Sequence, residues 1–262
     1  MIFKSPPRGA TRVALITGAA QGIGKAIALR LASDGYKIAL NDVDSKRNQL
    51  GGLTDEIERN HGRETKERDV QDMVEAVSQR LGSLDVMVAN AGILRQVPFT
   101  RYEPPLNSSL LAAEKQWDDV LRINTKGVFF CYKYAAKQWS RKAGLEGESS
   151  ERRHLLGSLT YIGAYAASKF AIRGLTQVAA LELGHHGITV NAYAPGAIKT
   201  PLLASAIDLS TIPTGEDFLN RLPPFSTVGK PEDVANLVSF LAFHESGYIT
   251  GEPYLTHLRG AE

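Results

Sequence analysis

The feature that most constrains the fold is a glycine-rich segment near the N-terminus, Thr17–Gly24, which reads TGAAQGIG. It follows the short apolar run Val13–Ile16 and precedes a largely apolar stretch of helical length that ends near Gly35. This order indicates a strand, a glycine turn and a helix. Because a helix N-terminus presents unpaired N–H groups and a partial positive charge, such a turn is suited to binding a pyrophosphate.

Within this turn, the glycines have separate expected roles. Gly18 permits the tight turn, Gly22 lets the backbone approach the phosphates, and Gly24 permits close packing of helix on strand. Gln21 and Ile23 complete the candidate binding loop. The spacing is G-x3-G-x-G rather than G-x-G-x-x-G, and a glycine-rich connection without a ligand is the alternative interpretation.

An acid, Asp42, stands at the end of the second apolar run. A carboxylate at this strand end can accept hydrogen bonds from both hydroxyls of an adenosine ribose, and it repels a 2′-phosphate. No arginine follows Asp42 before Arg47, and Gln21 stands where a basic residue would favour NADP. Asp42 therefore predicts NAD as the cofactor, whereas Asp44 is interpreted as a solvated turn residue.

Composition excludes several classes of protein. The chain has 262 residues, enough for one large α/β domain with a substantial core. Its 30 basic and 28 acidic residues argue against a nucleic-acid partner, and no apolar run is long enough to span a membrane. The single cysteine, Cys131, excludes an internal disulfide and a multi-cysteine zinc site. We expect a cytoplasmic chain without a metal.

Strands and helices alternate along most of the chain. The expected strands are 13–17, 36–41, 65–69, 85–89 and 188–193, and the expected helices are 23–34, 45–60, 71–81, 114–142, 165–184 and 231–243. This alternation predicts an α/β fold of the Rossmann type, a doubly wound parallel sheet flanked by helices on both faces. No linker divides the chain, so we expect a flexible tail over 1–10 and a single domain over 11–262.

A second motif, Tyr165-Ala-Ala-Ser-Lys169, places a phenol and an ammonium one helical turn apart. A free phenol has a pKa of about 10, too high for an efficient base at neutral pH. The charge of Lys169, with that of an oxidised nicotinamide, favours the phenolate. Tyr165 is the candidate acid/base of a hydride transfer, and Lys169 is the candidate partner of the cofactor ribose. An ordinary helix pair is the alternative.

These motifs, in this order, resemble those of the classical short-chain dehydrogenases/reductases over about residues 11–251. The resemblance implies that Asn124 holds a proton-relay water. It also implies cofactor contacts at the end of the third strand, after the fourth strand and around the nicotinamide. The residues concerned are Asp69, Val70, Asn90, Ala91, Gly92, Pro195, Gly196, Ile198 and Thr200.

The chain departs from the family pattern at the serine that polarises the substrate carbonyl. The family places this serine about thirteen or fourteen residues before the tyrosine, which here gives Arg152 and Glu151. A one-residue bulge would let Ser150 serve instead. If 143–156 forms a loop, the site has no serine, and the alternative function is a cofactor-binding protein with impaired or no catalysis.

The substrate is expected to lie beneath residues 201–228, a segment rich in leucine, isoleucine and phenylalanine. This composition favours a small or apolar ketone or secondary alcohol. Local sequences around Asp42 and Pro195 resemble acetoin/diacetyl reductases and butanediol dehydrogenases, with polyol dehydrogenases and 3-oxoacyl-thioester reductases as alternatives. The family resemblance also implies a homotetramer or homodimer built on helices 114–142 and 165–184.

Two further segments differ from the family pattern. Residues 95–113 are longer than the usual connection and are expected to contribute to the wall of the site. After Gly251 the sequence continues as Glu252-Pro253-Tyr254-Leu255-Thr256, which is expected to weaken the last strand.

Overall fold

The computed structural model describes residues 12–46, 58–61, 66–95, 106–141, 148–152, 163–206 and 228–256. These residues form a seven-stranded sheet of order β3-β2-β1-β4-β5-β6-β7 in which every neighbouring pair is parallel. The strands are β1 Val13–Thr17, β2 Lys37–Asp42, β3 Glu58–His61, β4 Val86–Ala89, β5 Glu148–Arg152, β6 Thr189–Pro195 and β7 Pro253–Thr256. The strand order reverses between β1 and β4, the kind of switch point at which α/β sheets bind ligands.

Helices connect the parallel strands. They are α1 Gly22–Ser33, α2 Glu67–Leu81, α3 Leu106–Leu121, α4 Gly127–Arg141, α5 Gly163–Leu183, α6 Pro201–Ala206 and α7 Pro231–Leu241. A π-helical segment, Arg122–Lys126, joins α3 to α4. The expected long helix 114–142 is therefore a helix with an internal π segment. No helix among the described residues is long and apolar enough to cross a membrane.

Two hydrophobic cores lie on opposite faces of the sheet. Ala14 and Ile16 of β1 belong to the core shared with α1 and α7, whereas Val13 and Leu15 belong to the core shared with α2, α4 and α5. Consecutive strand residues face opposite sides of a sheet, so a strand covered on both faces is apolar throughout. This confirms the predicted doubly wound parallel sheet flanked by helices on both faces.

The predicted strand at 65–69 is wrong, because residues 67–81 form α2 and the third strand is Glu58–His61. Glu67 and Asp69 lie in the first turn of α2, where acids favour the helix dipole. Val70 lies on the buried face of α2, and its N–H donates to the carbonyl of Lys66 at 3.3 Å. Asp69 and Val70 are helix residues and do not end a strand.

The predicted helix 45–60 is also wrong where the structure describes it. Asp44–Lys46 is a single 3-10 turn, and Glu58–His61 pairs with β2 from Ala39↔Glu58 to Asp42↔His61. The free edge of β2 supplies backbone partners for this segment, which overrides its local helical pattern. Residues 47–57 and the expected tail 1–10 lie outside the described residues.

Candidate active site

The carboxyl ends of β1 and β4 are joined by hydrogen bonds of Thr17 and Asn90. Thr17 Oγ1 accepts from the N–H groups of Asn90 and Ala91, both at 3.0 Å. Asn90 Nδ2 donates to the carbonyl of Gly18 at 3.0 Å, and the hydroxyl of Tyr193 donates to Asn90 Oδ1 at 3.2 Å. The segment after β4, with Asn90 and Ala91, therefore holds the start of the glycine loop in place through hydrogen bonds.

The three glycines of the loop occupy positions where a side chain would be strained or would collide with neighbouring atoms. Gly18 and Gly22 have φ of +64° and +54°, a region that L residues with side chains rarely adopt. A Cβ on Gly24 would collide with the Gly18 carbonyl and stand 2.5 Å from Asn90 Nδ2. Gln21 is the N-cap of α1. This backbone-lined cradle at the start of a helix fits a pyrophosphate group.

Asp42, at the end of β2, is hydrogen-bonded to the glycine loop. Its Oδ2 accepts from the N–H of Ala20 at 2.9 Å, and its Oδ1 accepts from the N–H of Val43 at 2.8 Å. An ionised carboxylate offers about four acceptor positions, so these two bonds leave room for ribose hydroxyls. The structure thus brings Asp42 beside the phosphate cradle.

Helix α5 brings Tyr165 and Lys169 into contact. Lys169 Nζ lies 5.3 Å from the centroid of the Tyr165 ring, and the two residues are only 6% and 5% exposed. A Cβ on Gly92 would stand 3.8 Å from Lys169 Nζ and 3.4 Å from Asn124 Oδ1. The loop after β4, the π segment and α5 therefore converge on one place.

Asn124 lies fully buried in the π segment and connects this loop to α5. Its Oδ1 accepts from the N–H of Ile93, and its Nδ2 donates to the carbonyl of Ile93, both at 2.9 Å. Nδ2 also donates to Ser168 Oγ at 3.1 Å. The sequence did not identify Ile93 or Ser168 as site residues. Ser168 lies inside the Tyr165–Lys169 motif, but only the fold reveals its partner.

The loop after β6 lies against the glycine loop. Pro195 ends β6, Ile198 is buried in the α1–α7 core, and the methyl group of Thr200 lies 3.2 Å from the position of a Cβ on Gly22. Thr200 Oγ1 donates to the Ile198 carbonyl at 3.2 Å and accepts from the Leu203 N–H at 3.3 Å. A hydroxyl has a second lone pair, which these bonds leave for a ligand donor.

Ser150 lies in β5, within the sheet. It is in register with Val88 of β4 and Asn191 of β6, so 148–152 is a strand and not a loop. The charged sequence of this segment does not prevent pairing, because β4 and β6 supply backbone partners on both sides. The position of the Ser150 hydroxyl and residues 143–147 and 153–156 lie outside what the structure describes.

Ionisable side chains on α2 and α3 have lowered pKa values. Hydrogen bonds from Lys115 and Arg122 lower the pKa of Asp119 to about 2. On the α2–α4 surface, a hydrogen bond from Lys133, with a second from Tyr134, lowers the pKa of Glu67. Among the described residues, no group of three or more His, Cys, Asp or Glu side chains is arranged to hold a metal ion.

Comparison with known proteins gives matches over nearly the whole chain. A family model described as Enoyl-(Acyl carrier protein) reductase matches residues 18–256. A short-chain dehydrogenase/reductase of Armillaria gallica is 43% identical over 257 residues, 92% of each chain. A 3-oxoacyl-[acyl-carrier-protein] reductase, FabG, of Staphylococcus aureus is 36% identical over 92% of this chain and 95% of its own. These names do not support the resemblance to acetoin/diacetyl reductases.

Solved structures show the same fold. Levodione reductase superposes with a TM-score of 0.80 at 28% identity, covering 94% of this chain and 96% of its own. A 3-ketoacyl-(acyl-carrier-protein) reductase from Brucella melitensis, complexed with NADH, gives a TM-score of 0.78 at 27% identity over 94% and 96%. On the strength of these full-length matches, the chain belongs to the short-chain dehydrogenase/reductase family of oxidoreductases.

Proposed function

We propose that the chain is an NAD(H)-dependent oxidoreductase that transfers a hydride between nicotinamide and a small or apolar ketone or secondary alcohol. The observation that carries this proposal is the buried contact of Tyr165 with Lys169, beside Asn124 and Gly92, at the switch point of the sheet. A buried phenol beside an ammonium and an amide network is an arrangement suited to proton transfer.

The residues present fit a dinucleotide. The backbone of Gly18, Gly22 and Gly24 would hold its pyrophosphate, and Asp42 would accept the ribose hydroxyls. Thr200 and the Ile198 backbone would bind the carboxamide. When bound, nicotinamide supplies or accepts the hydride. Asp69 and Val70 are left out of this proposal, because both lie in α2 and the Val70 N–H bonds within that helix.

The side chains of the protein then transfer the proton and orient the reacting groups. Tyr165 donates it to the oxygen of a reduced carbonyl or removes it from an alcohol. The ammonium of Lys169 favours the phenolate and binds the ribose hydroxyls, and Asn124 holds the loop after β4 against α5. We place Ser150 as the hydrogen-bond donor to the substrate carbonyl, since its segment is a strand between β4 and β6.

The decisive experiment is oxidation of NADH and NADPH by the purified chain with small diketones, ketones and a 3-oxoacyl thioester, beside Tyr165→Phe. We expect NADH-linked turnover that falls by about 10²- to 10⁴-fold in kcat in Tyr165→Phe, because general acid–base catalysis is lost. NADH binding, followed by fluorescence, should persist in the variant. Equal turnover by Tyr165→Phe would reject the proposed role of the phenol.

The choice of cofactor is tested at Asp42. Removing the carboxylate in Asp42→Ala should shift the ratio of kcat/KM for NADPH over NADH by about tenfold or more, because the 2′-phosphate is no longer repelled. Asp42→Asn is the control, since its amide oxygen can still accept from the Ala20 N–H. A wild-type preference for NADPH would contradict the assignment of NAD as the cofactor.

The substrate class is tested separately: turnover of the 3-oxoacyl thioester would indicate the substrate class named for the S. aureus relative.

The second candidate function is cofactor binding with impaired or no catalysis. The sequence of β5, ESSER, favours it, because an interior strand of a parallel sheet is ordinarily apolar. In that case NADH binds, but no substrate in the panel supports turnover, and Tyr165→Phe changes nothing.

We also propose that the chain forms a homodimer or homotetramer through α4 and α5. Helix α5 exposes an apolar stripe in this single chain, with Phe170, Val178 and Leu181 exposed by 54%, 52% and 83%. Their spacing places them on one side of the helix, and such a patch is typical of an interface. A monomeric mass by light scattering would contradict this.

A further inference from the structure

Ser168 carries a buried hydroxyl that the proposed reaction does not use directly. The residue is fully buried on α5, between Tyr165 and Lys169 in sequence. Its Oγ donates to the backbone carbonyl of Tyr165 at 2.7 Å and accepts from Asn124 Nδ2 at 3.1 Å. The hydroxyl thus joins an amide of the π segment to the turn of α5 that presents the phenol.

A serine inside a helix commonly donates to a carbonyl of the preceding turn, and that bond alone would have no consequence for the site. The bond from Asn124 is different, because it comes from another element and from a side chain that is itself fixed at both ends of its amide. Asn124 is held by two hydrogen bonds to the Ile93 backbone. The backbone carbonyl of Ser168 also accepts from Thr125 Oγ1 at 3.4 Å.

Two hydrogen bonds therefore connect the π segment to this one turn of α5. Residues three and four apart share a helix face, so Tyr165, Ser168 and Lys169 all point to the same side. A displacement of this turn relative to Asn124 would move the phenol and the ammonium together. The Ser168 hydroxyl is placed to prevent that displacement.

We propose that Ser168 is a positioning residue, whose hydroxyl fixes the Tyr165–Lys169 turn of α5 to Asn124 and the loop after β4. The inference rests on the proposed oxidoreductase function. Ser168 touches neither substrate nor cofactor in this proposal; it acts through the two residues beside it.

The test compares two variants of equal shape, Ser168→Thr and Ser168→Val. Threonine keeps the hydroxyl and valine lacks it, while both add the same volume, so their difference isolates the hydrogen bonds. We expect kcat of Ser168→Val to be lower than that of Ser168→Thr by about tenfold, the cost of a misplaced acid/base group. The dissociation constant of NADH should differ less between the two variants than kcat does, because the glycine loop and Asp42 are unchanged and only the proposed ribose contact of Lys169 moves with this turn.

Two controls accompany this pair. Ser168→Ala removes the hydroxyl without added volume. If the larger variants do not fold, Ser168→Ala should still show a loss of kcat of about tenfold relative to the wild type. Thr176→Val removes another fully buried hydroxyl of α5, which bonds to the Tyr132 hydroxyl at 2.9 Å and lies outside the candidate site. We expect Thr176→Val to lower the midpoint of urea unfolding while kcat stays at the wild-type value.

The outcomes separate the inference from the function. One outcome overturns the inference and leaves the proposed function standing. In it the wild type turns over, and Ser168→Val and Ser168→Ala keep the kcat of Ser168→Thr or lose no more than Thr176→Val does. Ser168 is then merely structural. If the wild type has no turnover while NADH binds, the proposed function fails and the inference falls with it. Loss of kcat confined to the variants without the Ser168 hydroxyl supports both.

Discussion

Strands β1 and β5 both lie inside the same parallel sheet, yet their sequences have nothing in common. β1 reads VALIT, is buried at every residue and pairs with β2 and β4. β5 reads ESSER and pairs with β4 from Glu148 to Glu151 and with β6 along its whole length. β1 is a strand by its own composition, whereas β5 is a strand because two flanking strands offer it backbone hydrogen bonds. A position in a sheet can therefore be specified by neighbours alone.

The two strands also end in different parts of the candidate site. β1 leads into the glycine loop, which is hydrogen-bonded to Asp42 and is the proposed cofactor cradle. β5 pairs with β4, and the loop after β4 meets α5 and the π segment, where proton transfer is proposed. Changes near β1 should therefore abolish binding, whereas changes near β5 should abolish chemistry and leave binding intact.

The largest expected effect is on the β1 side, in Gly24→Ala. Its new Cβ would collide with the Gly18 carbonyl and stand 2.5 Å from Asn90 Nδ2, so backbone must move. We expect NADH binding to weaken by about a hundredfold or more, and the free energy of unfolding to fall by about 1–3 kcal/mol. Isothermal titration calorimetry and urea unfolding measure the two quantities.

The matched control is Gly184→Ala, in the 3-10 turn Gly184–His186 that follows α5. Outside its own turn no atom stands within 4 Å of the added Cβ, so this change should be neutral or raise the free energy of unfolding by up to about 1 kcal/mol. Unchanged NADH binding in Gly24→Ala would show that the cradle is not the binding site.

How much the sequence predicts follows the same division. The sequence predicts β1, the glycine turn and α1, because each rests on a local pattern that the fold does not alter. The functional roles of Asp42, Tyr165 and Lys169 stay predictions. β3, β5 and the start of α2 were missed, because pairing with neighbouring strands and helix-dipole effects outweigh local propensity there. The link from Asn124 through Ser168 to Tyr165 is a contact across 44 residues, which no local pattern encodes.

A smaller effect is expected on the β5 side, in Ser150→Ala. If Ser150 donates to the substrate carbonyl, its loss should lower kcat by about a hundredfold, the typical cost of one such donor, while NADH binding is unchanged. Ser149→Ala is the matched control, since consecutive residues of a strand belong to opposite faces of the sheet. Wild-type activity in both variants would exclude Ser150 as the donor to the substrate carbonyl. Equal losses of activity in both variants would indicate damage to β5 itself.

The smallest effect concerns the support of the π segment under acid conditions. Hydrogen bonds from Lys115 and Arg122 hold the pKa of Asp119 at about 2, below its ordinary value of 3.8. Arg122 is the first residue of the π segment that contains Asn124. Because the folded-state pKa is depressed, the stabilisation is fully present above pH 3.8 and is lost as the pH falls through about 2.

The measurement is the midpoint of urea unfolding for the wild type and Asp119→Asn between pH 5 and pH 2. At pH 5 the wild type should have the slightly higher midpoint, and most of the difference should be lost by pH 2, where Asp119 is about half protonated in the folded state. The effect is small because exposed ion pairs are screened by solvent, so added salt should reduce it further. Asp118→Asn, which removes the neighbouring carboxylate, is the control; a difference between wild type and Asp119→Asn that persists unchanged at pH 2 would refute the assignment. Ser168 connects the turn that carries Tyr165 and Lys169 to the π segment. If kcat falls in Asp119→Asn while NADH binding is unchanged, the end of α3 also supports the proposed site of proton transfer.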